Sequence, residues 1–124
     1  GRLEPDRRSA AYGKFLQWLH FGESTLMGPI ADLSRQEVFL LPEKRDPQAA
    51  ERARATLAHY CRVLDAELAG HDWLVGDEFT AADIVVGYSF AVLDTFRIMP
   101  ELPARLRAWY DRLVQRPAFR TASA

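Results

Sequence analysis

The stretch Gly76-Asp77-Glu78-Phe79-Thr80-Ala81-Ala82-Asp83-Ile84, continuing without a charge to Leu93, limits most tightly what this chain can fold into. Thr80 suits a helix N-cap, because its hydroxyl can accept an orphan amide of the first turn. Asp83 follows three residues later, so its carboxylate can reach back to the Thr80 amide and close a capping box. Phe79 before the cap and Ile84 in the first turn are spaced for a hydrophobic staple. The run Val85-Val86-Gly87-Tyr88-Ser89-Phe90-Ala91-Val92-Leu93 predicts a helix buried on every side. It is well short of the ~20 apolar residues of a membrane span, so it belongs in a protein core.

Other helices must surround it. Pro5 suits a helix start, and a helical pattern runs from about Asp6 to Met27. Tyr12, Phe15, Leu16, Leu19, Leu26 and Met27 are read as its core face, with Trp18 and Phe21 on roughly the opposite side, forming a second apolar surface open to a partner. Gly28-Pro29 is expected to break or kink this helix. Ile30 to Leu41 reads as further helix, followed by a charged connection from Pro42 to Pro47. Asp46 as N-cap and Pro47 in the first turn open the next helix. Its face is Ala53, Leu57, Tyr60, Cys61, Leu64 and Leu68, and Gly70 supplies the stop. After the central helix and Pro100, the spacing of Leu102, Leu106, Trp109, Tyr110 and Leu113 predicts another helix before Pro117 and a last turn around Phe119. No segment alternates as a strand does. The expected fold is all-α, about five helices around a buried central one, as a single domain over residues 1–124.

Composition narrows function by exclusion. At 124 residues the chain holds one core, and a net charge of −1 argues against a generalised nucleic-acid or anionic-membrane surface. The single cysteine, Cys61, permits no internal disulfide and suits a reducing cytosol. With no basic-then-apolar leader and no spanning run, a cytoplasmic location is expected. The opening residues, beginning at Gly1 and not Met, look like the middle of a longer protein.

Trp73-Leu74-Val75-Gly76-Asp77-Glu78-Phe79-Thr80-Ala81-Ala82-Asp83-Ile84 resembles the motif "(Y/F/W)-L-x-G-x-x-x-(S/T)-x-A-D" that opens the buried central helix in the C-terminal domain of cytosolic glutathione transferases. Every fixed position is occupied. Trp18-Leu19-His20-Phe21-Gly22-Glu23-Ser24-Thr25-Leu26-Met27-Gly28-Pro29 is similar to "(Y/W)-L-x-F-A-E-(G/S)-(S/T)-L-M-P-P" of bacterial transferase-like proteins. It departs at Gly22, where Ala is usual, and at Gly28, where the first Pro often stands. Gln115-Arg116-Pro117-Ala118-Phe119 resembles the family's "RPA(F/V)" ending. The resemblance covers nearly the whole chain but only the second half of a transferase.

That resemblance implies a detoxification protein that joins glutathione to hydrophobic electrophiles. In the family, glutathione is held by an N-terminal thioredoxin-like domain carrying a Ser, Tyr or Cys near the sulfur. These residues contain no such segment, so no catalytic residue and no cofactor are assigned to them. Glutathione is the co-substrate of the parent protein, and the chain alone is expected to be inactive. The implied electrophile-pocket residues are Trp18, Phe21, Glu23, Ser24, Met27, Tyr88 and Phe96. The implied partners are the absent N-terminal domain and a second copy in a homodimer built on the first helix. Such helical domains also serve as docking modules without catalysis in translation-factor and synthetase assemblies, and that alternative stays open.

The remaining chemistry-bearing residues point to structure. Glu23 falls within the apolar stripe as drawn above; it faces a cleft, pairs with an arginine, or escapes to solvent. His20, His59 and His71 lack metal-ligand spacing, and Cys61 reads as a small core residue. Ser89 and Tyr88 are expected to bond to backbone. Arg105, Arg112 and Arg116, with Arg107 and Arg120 near the aromatic pair Trp109-Tyr110, read as a solvated face toward a helix C-terminus and not as a nucleic-acid surface.

Overall fold

The computed structural model describes residues 3–123, and Gly1, Arg2 and Ala124 lie outside them. Six α-helices follow one another: α1 (Ala11–His20), α2 (Met27–Ser34), α3 (Pro47–Glu67), α4 (Ala81–Thr95), α5 (Ala104–Gln115) and α6 (Pro117–Ser123). A π-helical turn, Phe21–Leu26, joins α1 to α2 without interruption, and a second, Arg35–Phe39, extends α2. The expected break at Gly28-Pro29 does not occur. Both residues lie in the first turn of α2, and the departure from α-geometry falls one turn earlier. A proline has no N–H and crowds the carbonyl four residues back, and a wide turn is one way a helix accommodates such a mismatch.

The buried face of α1 differs from the expected one. Phe15 and Trp18 are buried at 4% and 3% exposure, whereas Leu16 is exposed, and Tyr12, Leu19 and Met27 are only half-buried. The inward line is Phe15, Trp18, Gly22, Leu26, Ile30 and Leu33, and its centre is a glycine. There the π-helical turn that follows α1 crosses α4 so closely that a Cβ on Gly22 would meet Val85 Cγ1 at 2.8 Å and the Val86 amide at 3.2 Å. A wheel weighted by apolar side chains cannot see a contact line drawn through a residue without one. Trp18 is therefore a core residue and not part of a second surface. Phe21 packs edge-on against it at 5.1 Å and against Tyr60 of α3 at 5.6 Å.

Antiparallel α3 closes the other side through Ala53, Leu57, Cys61 and Leu64, the face its spacing predicts. Asp46 caps it by accepting from the Gln48 amide at 3.0 Å. Just past its end Gly70 takes a left-handed φ of 77°, open chiefly to glycine. The N-terminus of α5 is capped from across the fold. No side chain of its own caps it, and Asp65 Oδ1 on α3 accepts from the amides of Arg105 and Leu106 at 2.9 and 3.0 Å. The Arg105 guanidinium returns to the same carboxylate at 2.9 Å. The connection from α3 to α4 makes two tight antiparallel bridges, Trp73 to Gly76 and Val75 to Glu78.

Candidate functional site

The capped entry to α4 forms as the spacing predicts and carries more than a cap. Thr80 Oγ1 accepts from the Ala82 amide at 3.2 Å, and Asp83 Oδ2 from the Thr80 amide at 3.0 Å, completing the box. Asp83 Oδ1 accepts two further bonds, from the Leu74 amide at 3.0 Å and from Trp109 Nε1 on α5 at 2.8 Å. One carboxylate thus pins the 73–79 connection, the start of α4 and the middle of α5 together. Asp83 has no exposed surface. Burial raises its carboxyl above the ordinary value, and the bonds from Leu74, Thr80 and Trp109 pull the other way. The link to Trp109 could not be read from the motif, because nothing local ties residues 26 positions apart.

The expectation that α4 is buried on every side fails along one stripe. Val86, Gly87, Phe90 and Leu93 are buried, but Ile84 and Tyr88 are 44% and 64% exposed. Ile84, Tyr88, Ala91, Val92 and Thr95 share a face at i, i+4, i+7, i+8 and i+11, and with Phe96 they form one wall of a hollow of about 760 Å³. Ala118, Phe119 and Ala122 of α6 form the facing wall; Leu3, Phe79, Leu113 and Arg116 complete it. The aromatic Phe79 lines this hollow beside Ile84 and packs edge-on to Trp73 at 5.0 Å. Among the described residues that line it, one is charged. Arg116 stacks its guanidinium carbon 3.6 Å above the Phe79 ring.

The seven pocket residues implied by the resemblance do not come together. Tyr88 and Phe96 line the hollow, and Phe96 also packs edge-on to Phe39 at 5.3 Å. Trp18 is in the core and Phe21 half-buried between α1 and α3. Met27 is half-buried, its sulfur 3.5 Å from the Ser89 hydroxyl, which donates to it and not to backbone as expected. Glu23 and Ser24 are exposed, and Ser24 Oγ donates to the His20 carbonyl at 2.7 Å. Glu23 thus takes the solvent option and does not sit in an apolar stripe. Ile84, Ala91, Val92, Arg116 and Phe119 were missed as lining residues. The only prior signal was that α4 held more apolar side chains than one helix face can use.

The arginines resolve into structural contacts. Arg112 donates to the Asp72 carbonyl at 2.8 Å and lies 5.8 Å from the Trp73 ring centre. Cys61 is buried in the core, and burial pushes its thiol up to about 12, which removes it as a nucleophile. Among the described residues no group of three His, Cys, Asp or Glu side chains could hold a metal ion. Among the same residues no helix is long and apolar enough to cross a membrane.

A bundle of this order, with its carboxylate-pinned central helix, is a single all-helical domain. Residues 25–117 match the family model of the glutathione S-transferase C-terminal domain. The chain therefore belongs to the glutathione S-transferase family as its C-terminal domain. It is 30% identical over 116 residues to glutathione S-transferase GstB of Escherichia coli, covering 94% of this chain and 54% of that protein. It is 32% identical over 114 residues to the glutathione S-transferase-like protein LUC7 of Fusarium, covering 88% and 50%. The theta class transferase of Xanthomonas axonopodis pv. citri with glutathione bound superposes with a TM-score of 0.81 at 29% identity, covering 96% of this chain and 62% of that one. The transferase URE2P6 of Phanerochaete chrysosporium gives a TM-score of 0.84 at 23% identity over 98% and 56%, a likeness of fold alone. The chain spans about half the length of the curated relatives it matches.

Proposed function

We propose that this chain is the part of a glutathione transferase that walls the site of a hydrophobic electrophile, within a protein whose reaction is detoxifying conjugation. The observation carrying this reading is the uncovered stripe of α4. A helix that is otherwise the centre of the core presents Ile84, Tyr88, Val92 and Phe96 to an apolar hollow. Such a wall binds an apolar substrate and holds it for attack, while the sulfur nucleophile comes from elsewhere. Glutathione itself fits this lining poorly. It carries two carboxylates and an ammonium, whereas the described residues of the hollow offer one guanidinium and no acidic group. The glutathione half-site and the group activating its thiol therefore belong to a thioredoxin-like domain beyond these residues.

The same reading includes a homodimer, with a changed basis. Trp18 is buried in the fold and Phe21 is half-buried against it, whereas Phe39, at the end of the second π-helical turn, and Leu41 beyond it are 67% and 62% exposed and are left to drive association. The direct test is calorimetric titration of the chain with glutathione, together with a conjugation assay on an aryl halide. Neither binding nor turnover is expected. Saturable glutathione binding at micromolar concentration would overturn the assignment of the half-site.

A further inference from the structure

We propose that a groove between α2 and α3 binds a small, doubly charged oxyanion, with Arg35 and Arg52 supplying the opposing charge. The groove has a volume of about 410 Å³, within the roughly 300–1,000 Å³ of small-molecule sites. It shares no lining residue with the hollow on α4, and the inference does not depend on how that hollow is used. Asp32 of α2, with Arg35 and Gln36 of the π-helical turn that extends it, stands on one side. Arg52 and Thr56 of α3 stand on the other.

Among the described residues no carboxylate lies within ion-pair distance of Arg35 or Arg52, and Asp32, the one acidic residue of the groove, pairs with neither. The same seam shows the alternative nearby, where Arg54 of α3 pairs with Glu37 of the π-helical turn. There the two elements set opposite charges against each other; at the groove they set two like charges. Cations sharing one groove repel, and an anion between them replaces that repulsion with charge-assisted hydrogen bonds. The neutral groups add donors. Gln36 accepts the Asp46 amide on its carbonyl oxygen at 2.7 Å, which leaves its NH₂ to donate, and Thr56 brings a hydroxyl. Ala49, in the first turn of the 21-residue α3, also lines the groove, so the positive end of that helix acts in the same sense. Planar guanidiniums match phosphate and carboxylate oxygens by paired bonds, so the ligand class is a phosphate dianion or a short dicarboxylate.

The test is calorimetric titration of the 124-residue chain with inorganic phosphate and, separately, with succinate, at pH 8 and low salt. Millimolar binding of at least one is expected, because both arginines are exposed and water screens each contact. Tighter phosphate means that the guanidiniums converge on one group, and tighter succinate that each takes its own carboxylate. Arg35→Gln and Arg52→Gln should each weaken binding about three- to tenfold. Neither should lower the melting temperature of the free chain, since each also removes a like-charged neighbour. Asp32→Asn should tighten binding several-fold by removing the opposing charge. Arg62→Gln, at an exposed position of α3 outside the groove, makes the same change in net charge and should leave the affinity as it was. Absence of saturable binding of both anions at about 20 mM would overturn the proposal. So would an affinity that Arg62→Gln lowers as much as Arg35→Gln and Arg52→Gln do.

Discussion

Asp83→Asn changes the shape of the side chain hardly at all, yet it should be among the most damaging conservative substitutions available. The carboxylate accepts from three donors: Leu74 N and Trp109 Nε1 at one oxygen, Thr80 N at the other. An amide has one acceptor oxygen. Turned toward Leu74 and Trp109, it sets its NH₂ against the Thr80 N–H; turned the other way, it strands two donors. The cheaper orientation leaves the Thr80 amide and the new NH₂ unmatched at a site with no exposed surface. A buried donor without a partner costs about 1–3 kcal/mol. Relief of the burial cost that pushes the carboxyl up offsets part of this, and the net expectation is about 2–3 kcal/mol. Asp83→Ala strands all three donors and should cost about 4 kcal/mol or more, whereas Thr80→Ala, which loses one cap bond, should cost about 1 kcal/mol. Domains of this size hold roughly 5–15 kcal/mol in total. Urea unfolding followed by circular dichroism at pH 7 measures all three, with an unchanged m-value as the check that only stability moved. The reasoning fails if Asp83→Asn lies within about 0.5 kcal/mol of wild type, or if Asp83→Ala is no worse than Thr80→Ala.

Trp18→Glu should unfold or severely destabilise the chain and not merely dissociate a dimer, since Trp18 is 3% exposed and a buried unpaired charge typically costs several kcal/mol; Leu41→Glu should instead dissociate copies without loss of melting temperature, as sedimentation and calorimetry together would show. Gly22→Ala gains helix propensity but drives a methyl into Val85 and the Val86 backbone, so a net loss of about 1 kcal/mol is expected in the same urea assay. Asp65→Ala removes the cap of α5 and should cost about 1–2 kcal/mol, with amide exchange of Arg105 and Leu106 rising first. Cys61 titrates from 9.0 in the unfolded chain to about 12 in the fold. Its contribution is complete below pH 9 and is lost as pH rises through 12, so the urea midpoint should fall above pH 9, less steeply in Cys61→Ala.

The all-helical architecture was legible in the linear sequence, and so was its family resemblance. Capping is local: Asp46 meets Gln48, and Thr80 and Asp83 meet each other, across two or three residues of chain. The α3 face was legible for a related reason, because Ala53, Leu57, Cys61 and Leu64 report a single packed side through side chains that carry the apolar signal themselves. Tertiary structure decided the rest. Gly22 carries no hydropathy, yet it centres the face of α1, because close approach to α4 needs the absence of a side chain; this moved Trp18 inward and Glu23 outward. Asp83 joins α4 to α5, and Asp65 caps a helix some forty residues away. Such pairings depend on which helices cross, and local spacing does not encode that. The hollow is the same kind of property. Ile84 and Tyr88 are as apolar in the sequence as Val86 and Phe90, and only the position of α6 and the limits of the core determine which of them remain uncovered.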